Sequence, residues 1–118
     1  MLKRFAIFAL LGCAISARAF ETLSPDKVNQ ISAAIYKIEG GNHTKYPFGI
    51  RSIDTSGNVD KAKIICQNTI RNNFVRWQKA GKQTDFLTYL GNVYCPQSAD
   101  SVGNKNWQHN IHAMVKLN

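Results

Sequence analysis

The chain has only three cysteines and no C-x-x-C pair, so neither a thiol-redox motif nor a zinc cluster is written into it. It has no glycine-rich phosphate loop, and no serine or cysteine nucleophile in a recognisable setting. Nucleotide handling and serine- or cysteine-based hydrolysis therefore lack their signatures. No apolar run approaches the ~20 residues that a membrane-spanning helix needs. Internal repeats and low-complexity stretches are absent. The basic residues are scattered with no dense block, which argues against a dedicated nucleic-acid patch.

What is present begins with an export signal. Lys3 and Arg4 precede an apolar stretch over residues 5–11, and the small-residue site Ala17-Arg18-Ala19 stands just before Phe20. Residues 1–19 are expected to be a secretory signal peptide, leaving residues 20–118 as one small domain in the periplasm or outside the cell. Leu10-Leu11-Gly12-Cys13 also resembles a bacterial lipobox, so a lipid anchor at Cys13 is the competing expectation. Either way Cys66 and Cys95 remain as an even pair. An oxidising compartment favours a disulfide between them, worth roughly 3–4 kcal/mol for a loop of about 30 residues; two separate buried thiols are the alternative.

The formal charge is +8, from 15 Lys and Arg against 7 Asp and Glu. Loss of Lys3, Arg4 and Arg18 with the signal leaves 12 against 7, or +5. A charge of that sign speeds encounter with anionic polymers such as the bacterial envelope, acidic membrane surfaces or nucleic acid, without choosing among them.

Periodicity predicts a mainly α domain. Ser24-Pro25-Asp26 reads as a helix start, with serine as N-cap and proline at the first helical position. Val28, Ile31, Ile35 and Ile38 then mark one apolar face, and Gly40-Gly41 ends the segment. Residues 42–58 are expected to form a loop or short irregular strand. A long core helix is predicted from Val59 to Ala80, with Gly81 as its stop. A third runs from Thr84-Asp85 to Tyr94-Cys95-Pro96, and a last helix is capped by Asn106 after a polar connection over residues 98–105.

Glu39 closes the first helix and faces the one non-helical loop. A carboxylate there is backed by a rigid element and fronted by turn-forming and aromatic residues, a suitable place for a general acid. Asp54 is the only acid nearby in sequence. His109 and His112 share a helix face, but a metal site needs a further ligand such as His43, and nothing in the sequence brings it there; no metal or other cofactor is expected.

Glu39 followed by Gly49-Ile50-Arg51-Ser52-Ile53 resembles the lysozyme-like superfamily, and within it the small lytic transglycosylase domain. There a helix ends in a catalytic Glu, and a Gly-Leu-Met-Gln-Ile signature follows in a loop. Gly49 and Ile53 match, and Ile50 is conservative for Leu. Gly40 stands where the family has Ser, Ser52 replaces the signature Gln, and Tyr94 echoes a later Tyr-containing motif. The resemblance implies a compact, lysozyme-like fold of about four helices that cleaves β-1,4 glycan strands of peptidoglycan; a monomer is expected.

Glu39 would then be the catalytic residue, and Tyr46, Phe48, Gly49, Ser52 and Tyr94 would bind substrate. In the transglycosylase branch the substrate's N-acetyl group assists the leaving group and no second carboxylate is needed. A two-carboxylate lysozyme needs a partner at about 5–5.5 Å for retention, for which Asp54 is the candidate. A noncatalytic envelope-binding or inhibitor module is the rival from another class.

Overall fold

The computed structural model describes residues 20–55 and 58–117. The expected signal peptide and the Cys13 lipobox lie outside the described residues. Four helices carry the fold: α1 (Pro25–Ile38), α2 (Val59–Lys79), α3 (Phe86–Tyr94) and α4 (Ser101–Met114). Two short 3-10 turns, Gly41–His43 and Pro47–Gly49, replace any strand between α1 and α2, and among the described residues no strand forms.

Local chemistry sets the ends of each helix. Ser24 Oγ accepts from the Lys27 amide at 3.2 Å and opens α1. Asn58 Oδ1 does the same for Lys61 at 2.9 Å, opening α2. Asp85 Oδ1 caps α3 through the Thr88 amide at 3.0 Å. These side chains satisfy amide groups that a helix start otherwise leaves without partners.

Helix α4 departs from expectation. It begins at Ser101, with Asp100 as its cap through the Gly103 amide at 2.8 Å, and not at Asn106. The polar residues read as a connection are its first turns. Asn104 within them is buried and donates to the Cys95 carbonyl at 2.7 Å and to Asn92 Oδ1 at 2.9 Å, tying α4 to the end of α3.

Helix α1 packs on both α2 and α4, α3 closes against α2 and α4, and the Pro47–Gly49 turn wedges between α1 and α2. The core is Ile31 and Ile35 from α1, Ala62, Cys66 and Ile70 from α2, Leu90 from α3 and Ile111 from α4, all fully buried. Among the described residues no helix is long and apolar enough to cross a membrane.

Candidate active site at the end of the first helix

Glu39 is the residue that closes α1. Its own amide still donates to the Ile35 carbonyl at 2.9 Å, and its φ and ψ of −86° and 10° leave the helix. Gly40 follows at φ 107°, which turns the chain sharply away and is strained for any residue with a Cβ. The carboxyl group is thereby fixed at the end of a buried helix, half-exposed, with the loop folding back over it.

The loop returns at Gly49. A Cβ built there would lie 2.8 Å from Glu39 Cδ and 3.0 Å from Oε2, so the carboxyl group occupies the space a side chain would need. Gly49 also has a φ of 71°, reached through the preceding Phe48 at φ 59°. A phenylalanine in that region costs of order 1–3 kcal/mol. Burial of its ring, 4 % exposed and 5.0 Å from the Tyr36 ring centroid, offsets this.

Phe48, a candidate either for substrate contact or for the core, is a core side chain. Its inverted backbone turns the ring into the core, and what it contributes is the turn that delivers Gly49.

On the opposite side α4 supplies Trp107. Its indole Nε1–H donates to Glu39 Oε1 at 3.2 Å. The indole is 5 % exposed and stacks on Tyr94, with ring centroids 5.4 Å apart and planes 16° from parallel. The Tyr94 hydroxyl in turn lies 3.5 Å from Cys66 Sγ. Carboxylate, indole, phenol and thiol thus form a connected chain from the end of α1 through α4 and α3 to α2.

The two members farthest from Glu39, Tyr94 and Cys66, are held neutral. Burial pushes the Cys66 thiol up to about 11; the bond to Tyr94 opposes the rise and the nearby charge of Glu39 adds to it. Burial likewise raises the Tyr94 hydroxyl far above its ordinary range, with Cys66 and Glu39 adding. Tyr94 and Cys66, which lie behind Trp107 and feel the charge of Glu39, are therefore uncharged neighbours of the carboxyl group rather than ionised ones. Among the described residues, Trp107 is the only hydrogen-bond donor to the carboxyl group.

The disulfide expected between Cys66 and Cys95 is not formed: both are free thiols. Cys66 is on the inner face of α2 and meets the Tyr94 hydroxyl. Cys95 Sγ points toward the start of α4, 3.1 Å from where a Cβ on Gly103 would stand.

Tyr46 and Ser52 belong to the outer part of the loop. Tyr46 lines a recess of about 240 Å³ together with Lys45, Ile50, Arg51 and Asp54. Its ring has the Arg51 guanidinium 4.8 Å and the Lys45 ammonium 5.2 Å from its centroid. Ser52 is exposed on the segment just beyond. Of the expected residues, then, Gly49 meets Glu39 directly, Tyr94 reaches it through Trp107, Tyr46 lies in the recess of the outer loop, Ser52 is exposed and Phe48 is core. Trp107, the other partner of Glu39, carries no motif in the sequence. The one signal pointing further was its indole N–H, which needs a partner when buried.

Compared with protein-family models, curated proteins and solved structures, the chain matches none. The lysozyme-like reading accordingly rests on the residues and the geometry described above.

Proposed function

We propose that the chain is a peptidoglycan-cleaving lytic transglycosylase in which Glu39 is the single acid/base. The observation that carries this reading is the setting of Glu39. Its carboxyl group is packed on a side-chain-free Gly49 and tethered through one oxygen to Trp107, which stacks on a neutral Tyr94. None of these neighbours is a second carboxylate.

The chemistry needs only that one group. Protonated Glu39 gives its proton to the glycosidic oxygen as the C1–O bond breaks, and the carbonyl oxygen of the substrate's N-acetyl group bonds to C1. The Glu39 carboxylate then takes the proton of the sugar's 6-hydroxyl. That oxygen attacks C1 and displaces the N-acetyl oxygen, closing a 1,6-anhydro ring. The proton returns to Glu39 and no water is consumed. Trp107 holds one carboxyl oxygen, leaving the other to exchange the proton.

A net positive domain would be drawn to the anionic wall polymer, in keeping with an exported protein. Mass spectrometry of fragments released from purified peptidoglycan tests the reading: 1,6-anhydro ends support it, and reducing ends would place the chain with two-carboxylate hydrolases instead. A second reading, noncatalytic envelope binding, is favoured by the Tyr46 recess with its two flanking cations. It predicts sedimentation with the wall and no fragments at all.

A further inference from the structure

A cavity on the described part of the molecule has no lining residue in common with the surroundings of Glu39. It encloses about 590 Å³ between the end of α2, the start of α3 and the two terminal segments. That size falls within the roughly 300–1,000 Å³ of ordinary small-molecule sites. Its walls are apolar: Phe74 and Trp77 from α2, Phe86 and Leu87 from α3, and Leu23 and Val115 from the termini. Phe74, Trp77 and Phe86 pack on one another with centroids 5.0–5.6 Å apart, so this wall is rigid.

The mouth carries the opposite character. Lys27, Lys82 and Lys116 stand around it. Lys27 Nζ donates to the Lys116 carbonyl at 2.6 Å, and Lys116 Nζ to the His112 carbonyl at 3.1 Å. Each ammonium keeps two further donors. Lys82 has a φ of 54°, a left-handed backbone unusual for a lysine, and its ammonium sits 5.4 Å from the Trp77 ring centroid.

Of the carboxylates at the mouth, Asp85 is already engaged. Oδ1 accepts from the Thr88 amide and faces His112 Nε2 at 2.9 Å, and Oδ2 accepts from Thr88 Oγ1 at 2.7 Å. Glu21 is the remaining acid, so three ammonium groups face one uncommitted carboxylate across an apolar slot.

We propose that this cavity binds an amphipathic anion, an aliphatic chain with a carboxylate head, the chain against Trp77 and Phe86 and the head between Lys82 and Lys116. The site is separate from the glycan-cleaving reading and does not depend on it.

Calorimetric titration of the full chain with decanoate, below micelle formation, tests it. Saturable one-to-one binding is expected. Lys82→Ala and Lys116→Ala, both exposed positions, should each weaken it about tenfold by removing a charge-assisted contact. Decyltrimethylammonium, with the same chain and the opposite charge, should bind at least tenfold more weakly, and Glu39→Gln should leave decanoate binding unchanged. The proposal is overturned by absence of saturable binding, by equal binding of the cationic amphiphile, by lysine variants that bind like the parent chain, or by loss of binding in Glu39→Gln.

Discussion

Substituting Gly49 with alanine puts a methyl group where the Glu39 carboxyl group now lies, and the structure sets the size of the effect. The added Cβ would stand 2.8 Å from Glu39 Cδ and 3.2 Å from Cγ. Carbon pairs settle at about 3.5–4.0 Å, so the carboxyl group must retreat by about 0.7 Å or more. The Trp107 bond, already 3.2 Å long, has little room to follow. Misplacing a reacting group on that scale costs up to about a hundredfold in rate.

Release of soluble fragments from purified peptidoglycan should therefore fall about 10- to 100-fold in Gly49→Ala. The backbone also contributes, since alanine at a φ of 71° costs about 1–2 kcal/mol. In a domain of this size each kcal/mol lowers Tm by about 4–8 °C. Gly81→Ala is the control. Gly81 has a φ of 90° and nothing within 4 Å of an added Cβ, so it carries backbone strain without the collision. It should lose comparable stability and keep its activity. Full activity in Gly49→Ala, or equal loss in both variants, would refute the claim that Gly49 makes room for the catalytic group.

Trp107→Phe removes the only described donor to Glu39 and keeps an aromatic ring beside Tyr94. Fragment release should drop about tenfold or more, in line with loss of a hydrogen bond to a charged group, and an unchanged rate would exclude Trp107 as a positioning residue. The His112–Asp85 pair makes stability depend on pH. Burial alone would lower the His112 value, but its hydrogen bonds to Asp85 and to the Gln108 carbonyl raise it above 6.5. Burial would raise that of Asp85, but bonds from Thr88 and His112 lower it below 3.8. The stabilisation is therefore present between those ordinary values. It is lost upward as pH rises through the raised His112 value, and downward as pH falls through the depressed Asp85 value. Both side chains are well exposed, 40 % and 60 %, so screening keeps the effect within about 1 kcal/mol. Denaturant midpoints of parent and His112→Gln should converge above neutrality, and a constant gap across pH would contradict the assignment. A thiol reagent on the native chain should label the half-exposed Cys95 and spare the buried Cys66 until unfolding; no free thiol at all would show that the two are bridged.

The helices could be read from the sequence where local signals agree. Ser24-Pro25 and Asp85 each combine a capping side chain with an apolar periodic run, and the structure starts α1 and α3 there. Asp100 is as good a cap, but polar residues follow it. Asn104 reads as surface in the sequence, whereas Cys95 and Asn92 meet its amide, so the polar pattern puts the start of α4 too late. The pairing of Glu39 with Trp107 spans 68 positions and no local pattern encodes it. Phe48 shows the converse difficulty: an aromatic residue in a loop next to a glycine suggests a ligand contact, whereas its positive φ, visible only in three dimensions, turns the ring inward. The place of Gly49 after Glu39 is visible in the sequence, but its physical role, leaving space for the carboxyl group, lies in the distance between them.

The measurement that tests the central claim most directly is digestion of purified peptidoglycan by the parent chain and by Glu39→Gln, with thermal unfolding of both followed in parallel. Glutamine preserves the shape of the side chain and can still accept from Trp107, but it cannot exchange the proton. The account predicts fragments from the parent, none from Glu39→Gln, and nearly equal Tm values. Equal digestion by both proteins would contradict it.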